Sequence, residues 1–256
     1  MKKLVAPVLG LALLAALAAG CGKTSDVQPQ ASAVTPTAED VSQVNDALAA
    51  NTPYVEENEY ESGDPAELDP AQGFGANHPM FWWRTIRSVT RRYETTFADP
   101  DSNGRPTTAY VDVHKRLLGS FNVLMGDSSA TPDSLVRKPL DDHWQRRLVF
   151  RRSPADSNAN PRAMWRLAGT SGVEVTSANA VTRIQAVRVQ AGALDTTITD
   201  PLQMHRLRRV LYIPVNTPVT VTVTTASPND LVLLYRWHHR FRFQNNGDNT
   251  YAYHWT

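Results

Sequence analysis

Beyond residue 100, apolar and polar residues alternate with the period of β-strands. In PTTAYVDVH, Ala109, Val111 and Val113 fall on one face, with Tyr110, Asp112 and His114 opposite. GSFNVLM sets Phe121, Val123 and Met125 against Asn122 and Leu124, and WQRRLVFRR and MWRLAG are further candidates. The plainest case is TPVTVTVTT, where Val219, Val221 and Val223 interleave with Thr220, Thr222 and Thr224. Short strands separated by Gly, Pro, Asn and Asp predict a mainly β fold, an antiparallel sandwich. Arginines on both strand faces argue against a membrane barrel. NHPMFWWRTIRSVTRRYETTF is ambiguous: Trp82, Ile86, Val89, Tyr93 and Phe97 keep helical spacing, yet Val89, Tyr93, Thr95 and Phe97 also suit a strand. The expectation is a short helix near 80–87 leading into a strand at about 89–98.

The last stretch, RFRFQNNGDNTYAYHWT, predicts a hairpin, because Asn246-Gly247 suits the positive φ angles of a two-residue turn. Both simple registers set odd positions against even ones. Arg240, Arg242 and Gln244 would then share a face with Tyr251, Tyr253 and Trp255, and Phe241 and Phe243 would share the other with Ala252 and His254. Arg240, Arg242, Tyr251, Tyr253 and Trp255 would form an exposed cation–aromatic ladder, a candidate binding surface worth about 0.5–1 kcal/mol per stacked pair. Asn246, Gly247, Asp248, Thr250 and Tyr251 resemble the turn before a late strand in filamin-type and related bacterial immunoglobulin-like domains. Asn249 replaces that motif's second glycine. The resemblance covers roughly a dozen residues and implies an immunoglobulin-like sandwich over 156–256. Such domains carry a further strand, so a chain stopping at Thr256 implies one supplied from elsewhere or a shortened sequence.

Upstream, the pattern changes character. Lys2 and Lys3 precede a continuous apolar run of sixteen residues, Leu4 to Ala19, followed by Gly20 and Cys21. A phosphate-binding loop would need a glycine where Leu17 stands and a strand before it, so GCGKT is not one. The run is shorter than the ~20 residues of a membrane-spanning helix and has the layout of an export signal. It resembles the leader of bacterial lipoproteins, whose lipobox ends in small residues and an obligatory cysteine. Leucine, usual three places before that cysteine, sits four before it as Leu17, with Ala18 in its place. The resemblance implies a signal peptide over 1–20, cleavage after Gly20 and lipidation of Cys21. Gly22 in place of an aspartate implies the outer membrane rather than the inner one. Cys21 is the only cysteine, so no intrachain disulfide can form and the fold must rest on a packed core.

Charge divides the chain. From Gly22 to Gly75 there are eleven acids and one base, whereas residues 76–256 hold fourteen acids and twenty-three bases, all arginine except Lys115 and Lys138. Residues 21–75 read as an acidic flexible tether, rich in Ser, Thr, Pro and Gln in its first half. Inside it, Thr35-Pro36 and then Val41, Val44 and Leu48 predict one short helix. The tether either holds the body clear of lipid headgroups or docks on the basic part. The body divides into a β-rich part over 76–155 and the immunoglobulin-like part over 156–256. Its arginines suit carboxylate, phosphate and sulfate groups, or are simply paired and solvated.

Little chemistry stands out. Asp99, Asp101 and Asn103 alternate before Gly104, as calcium-binding oxygens can, but Tyr110 holds the place of the bidentate glutamate. A plain turn explains the same residues, and calcium is the one cofactor the pattern suggests. Neighbouring His238 and His239 point to opposite faces of a strand, and His239 could meet His254 across the hairpin with no third ligand. Asp141, Asp142 and His143 read as a turn before Trp144. No zinc, G-x-S-x-G or S-x-x-K motif occurs. The reading is a non-enzymatic, lipid-anchored envelope protein that presents a basic β-rich body. Its expected partners are the membrane through Cys21 and an anionic envelope glycan or another envelope protein, with no nucleic acid. The alternative is a periplasmic hydrolase or glycan-processing enzyme whose site leaves no motif.

Overall fold

The structure is a computed structural model, and it describes residues 33–55, 78–126, 132–153, 164–207, 213–236 and 239–256. Helices α1 (Ala38–Ala50) and α2 (Thr52–Val55) precede three long strands, β1 (His78–Pro100), β2 (Pro106–Gly126) and β3 (Pro132–Arg152). There follow β4 (Trp165–Ser177), β5 (Ile184–Ala191), β6 (Leu194–Ile198), β7 (His205–Arg206) and β8 (Val219–Thr225). The chain ends with β9 (Leu233–Arg236), β10 (His239–Arg242), β11 (Gln244–Asn245) and β12 (Thr250–Trp255). The first sheet has the order β1-β2-β3-β4-β7, the second β11-β12-β8-β5-β6, and β9 and β10 form a separate ribbon. Every pairing is antiparallel. The mainly β, antiparallel architecture expected from the alternation is the one that forms.

Residues 80–87 are strand, not helix. Trp82 pairs with Val123 and Ile86 with Gly119, and the ladder continues to Phe97 opposite Ala109. A register shift between Ile86 and Ser88 explains the false helical spacing. One extra residue, Arg87, turns a step of two into a step of three, so Trp82, Ile86, Val89, Tyr93 and Phe97 all stay on one face. Gly119 makes this crossing possible. A Cβ built there would lie 1.9 Å from the carbonyl oxygen of Thr85. Gly119→Ala should therefore cost about 1–3 kcal/mol in urea unfolding, as overpacked sites do. A midpoint matching the parent's would show that the bulge can shift to make room.

β2 joins PTTAYVDVH and GSFNVLM into one 21-residue strand, so the strands here are long rather than short. At 23 residues, β1 reaches ~75 Å. The inner face of the first sheet carries Phe97, Ala109, Val111, Val113, Leu148, Phe150 and Trp165, all buried. Val44, Ala47, Leu48 and Val55 of the helices join this cluster, and each fully buried Val or Leu contributes about 1.5–3 kcal/mol. Residues 33–55, expected in a flexible tether, thus belong to the fold. The helix was anticipated, but its N-cap is Thr37 rather than Thr35-Pro36, and Val41 lies outside its buried stripe. The remaining tether residues lie outside the described ones, as do the leader and Cys21.

The expected boundary at 155/156 also moves. β4 pairs with β3 from Asp142–Ser177 to Arg152–Trp165, and β7 returns to β4. The second sheet begins only at Ile184. Its Val187, Val221, Val223, Tyr251 and Tyr253 pack against Val232, Leu234 and Phe243 on or beside the ribbon, giving an antiparallel sandwich of unequal layers. Among the described residues no helix is long and apolar enough to cross a membrane.

Candidate functional site

The hairpin turn forms where Asn-Gly placed it, but with a different register. Gly247 and Asn249 both take positive φ, at 86° and 65°. Gln244 then faces Ala252, and Asn245 faces Tyr251, so even positions oppose even and odd oppose odd. Further back the chain changes layers: the Phe243 amide donates to the Val232 carbonyl at 3.0 Å, and β10 pairs with β9 rather than with β12. The proposed ladder is therefore not assembled. Arg240 and Arg242 lie on the ribbon, opposite Tyr235 and Leu233. Tyr251, Tyr253 and Trp255 lie opposite Val223, Val221 and Val219 on the face turned to the core. Rings of Phe241 and Phe243 stand 5.5 and 5.7 Å from that of Tyr253, and Tyr253 stands 5.7 Å from Trp255.

Tyr251 is a structural pin. It is fully buried, accepts from the Asp230 amide at 2.8 Å and donates to the Ser227 carbonyl at 3.0 Å. Tyr251→Phe removes both bonds and should cost about 1–3 kcal/mol. Denaturant midpoints for the two proteins test this, and equal midpoints would mean that water replaces the hydroxyl freely.

The metal candidates also resolve into structure. Asp101 Oδ1 accepts from the amides of Asn103 and Arg105, each at 2.9 Å, while Oδ2 is held by the Arg152 guanidinium. The Arg105 amide is the main cause holding the Asp101 carboxyl below the usual aspartate range. Asp99 adopts φ 54°, and its carbonyl accepts from the Thr107 hydroxyl. Asp99, Asp101 and Asn103 thus close the β1–β2 turn, and both oxygens of the Asp101 carboxylate are already engaged, one by two backbone amides and the other by Arg152. His254 Nδ1 lies 2.8 Å from Thr220 Oγ1, while the backbone of His239 pairs in β10 with Arg236 rather than across the hairpin with His254. His238 lies outside the described residues. Among the described residues no three His, Cys, Asp or Glu side chains converge as a metal site.

Asp141, Asp142 and His143 are mid-strand residues of β3, not a turn, and the pleat sends them to alternate faces. Asp142 points inward, accepting from Ser177 Oγ and lying 3.4 Å from Arg84 Nη1. Asp141 points outward, where Arg116 grips it bidentately at 2.8 and 2.7 Å and His143 Nε2 stands 3.6 Å away. The Arg116 hydrogen bond holds the Asp141 carboxyl down. Asp40 and Asp101 also converge, but on Arg152 and Arg105, and both are pushed below the ordinary range. Acid–base catalysis wants two carboxyls driven apart; these are driven the same way.

What remains is the outer face of the first sheet. Its rows set Arg92 beside His114 and Gln145, Arg116 beside His143, and Glu94 beside Asp112 and Arg147. Arg92 is 73% exposed and pairs with Glu94, and Arg147 is 46% exposed with its Nε 3.3 Å from Asp112. Counted over both faces, β1, β2 and β3 carry twelve Lys and Arg against six Asp and Glu, with Lys115 and Arg146 buried on the inner face. This is a broad, charged, exposed sheet face with guanidinium groups already held in ion pairs. The sequence signal for it is the polar side of the alternation, Tyr110, Asp112, His114 and Arg116, which forms no motif of fixed spacing. No family model, curated protein or solved structure matches this chain.

Proposed function

We propose that the chain is a lipid-anchored envelope protein that presents a basic β-rich body for binding or surface assembly, without catalysis. The observation that carries this reading is the exposed arginine-bearing face on unusually long strands, taken together with the apolar run and small residues that precede Cys21. Exposed guanidinium groups exchange ion-pair partners at little cost, because each surface pair is worth only about 0–1 kcal/mol. A carboxylate, phosphate or sulfate on an envelope polymer can therefore displace Glu94, Asp112 or Asp141. Chain length supports the presentation. Val34 is already fixed to the sheet, its amide donating to the Phe97 carbonyl at 2.8 Å. Thirteen residues from Cys21 to Val34 reach at most ~45 Å, so lipidation would keep the Phe97 end of the sheet near the bilayer. From Phe97 the same strand runs ~60 Å to His78.

Cys21→Ala should move the protein from the membrane fraction to the soluble one, and unchanged fractionation would reject the anchor. That soluble variant should be retained on anionic envelope polysaccharide at low salt. Adding Arg92→Ala, Arg116→Ala and Arg147→Ala should weaken retention roughly tenfold, three exposed contacts of about 0.5 kcal/mol each. Retention that ignores both salt and the three arginines would remove the binding reading while leaving the anchor intact.

A further inference from the structure

We draw no further inference here: the strongest candidate, the far end of the three-stranded arm where Trp82, Val123 and Val136 make an apolar row on one face and Leu124 and Leu135 are apolar on the other, carries nothing because nothing in the structure shows what covers it.

Discussion

Trp144→Ala should lower the unfolding free energy by about 3–5 kcal/mol, the range for deleting a large buried ring. Trp144 is 1% exposed and belongs to the core cluster. It also faces two buried cations, with Lys115 Nζ 4.4 Å and Arg146 Cζ 5.7 Å from its ring. A desolvated cation over an indole is stabilised by about 2 kcal/mol or more. The loss should therefore fall at the upper end of that range. Arg146 also donates to the Tyr54 carbonyl at 2.8 Å, so the ring lies beneath the point where α2 is tied to the sheet. A double-mutant cycle with Lys115→Met separates the effects. Lys115→Met should cost clearly less when Trp144 is already alanine, by 1 kcal/mol or more. Circular dichroism in urea reads the cycle, and additive costs would reduce Trp144 to packing alone.

The core was legible because its periodicity is local. Ala109, Val111 and Val113, and likewise Val219, Val221 and Val223, keep period two through strands that stay in register. Trp82 to Phe97 misled because the extra residue at Arg87 shifts the phase, and only pairing with Gly119 reveals the bulge. The hairpin shows the same limit at smaller scale. Asn-Gly located the turn correctly, but Asn249 in the left-handed region changes the loop length and the parity of every pair beyond it. A slip of one residue exchanges the two faces of a strand. That exchange converts Tyr251 from an imagined surface contact into a buried pin. Likewise Asp101 has the spacing of a metal ligand, but its partner Arg152 is 51 residues away. The helix itself was legible, but composition hid its docking, since α1 is embedded in a segment whose average character is acidic and polar.

Asp40→Ala should cost about 3 kcal/mol, the lower end for breaking a buried ion pair. Asp40 is fully buried at the start of α1. Its Oδ2 accepts from the Thr37 amide at 3.2 Å and from the Thr37 hydroxyl at 2.7 Å, completing a capping box. Oδ1 faces Arg105 Nη2 at 3.1 Å and Arg152 Nη1 at 3.7 Å. One carboxylate therefore ties the helix start to the β1–β2 turn and to the end of β3. Arg152 keeps Asp101 when Asp40 is removed, which is why the cost stays near the lower bound. Burial alone would raise the Asp40 carboxyl, but hydrogen bonds from Thr37 and Arg105 outweigh it and hold the group below the usual range. A depressed pKa means the folded state favours the anion. Its stabilisation is present above the unfolded value of about 4 and fades as pH falls through the lower folded value. Asp40→Asn, which keeps much of the shape but not the charge, should narrow the gap to wild type as pH drops from 5 towards 2. Protection of the Val44 and Leu48 amides, taken relative to their intrinsic exchange at each pH, should fall in the same window, reporting release of α1. A stability difference that stays constant across this range would show that the Asp40 carboxylate does not hold the helix by its charge.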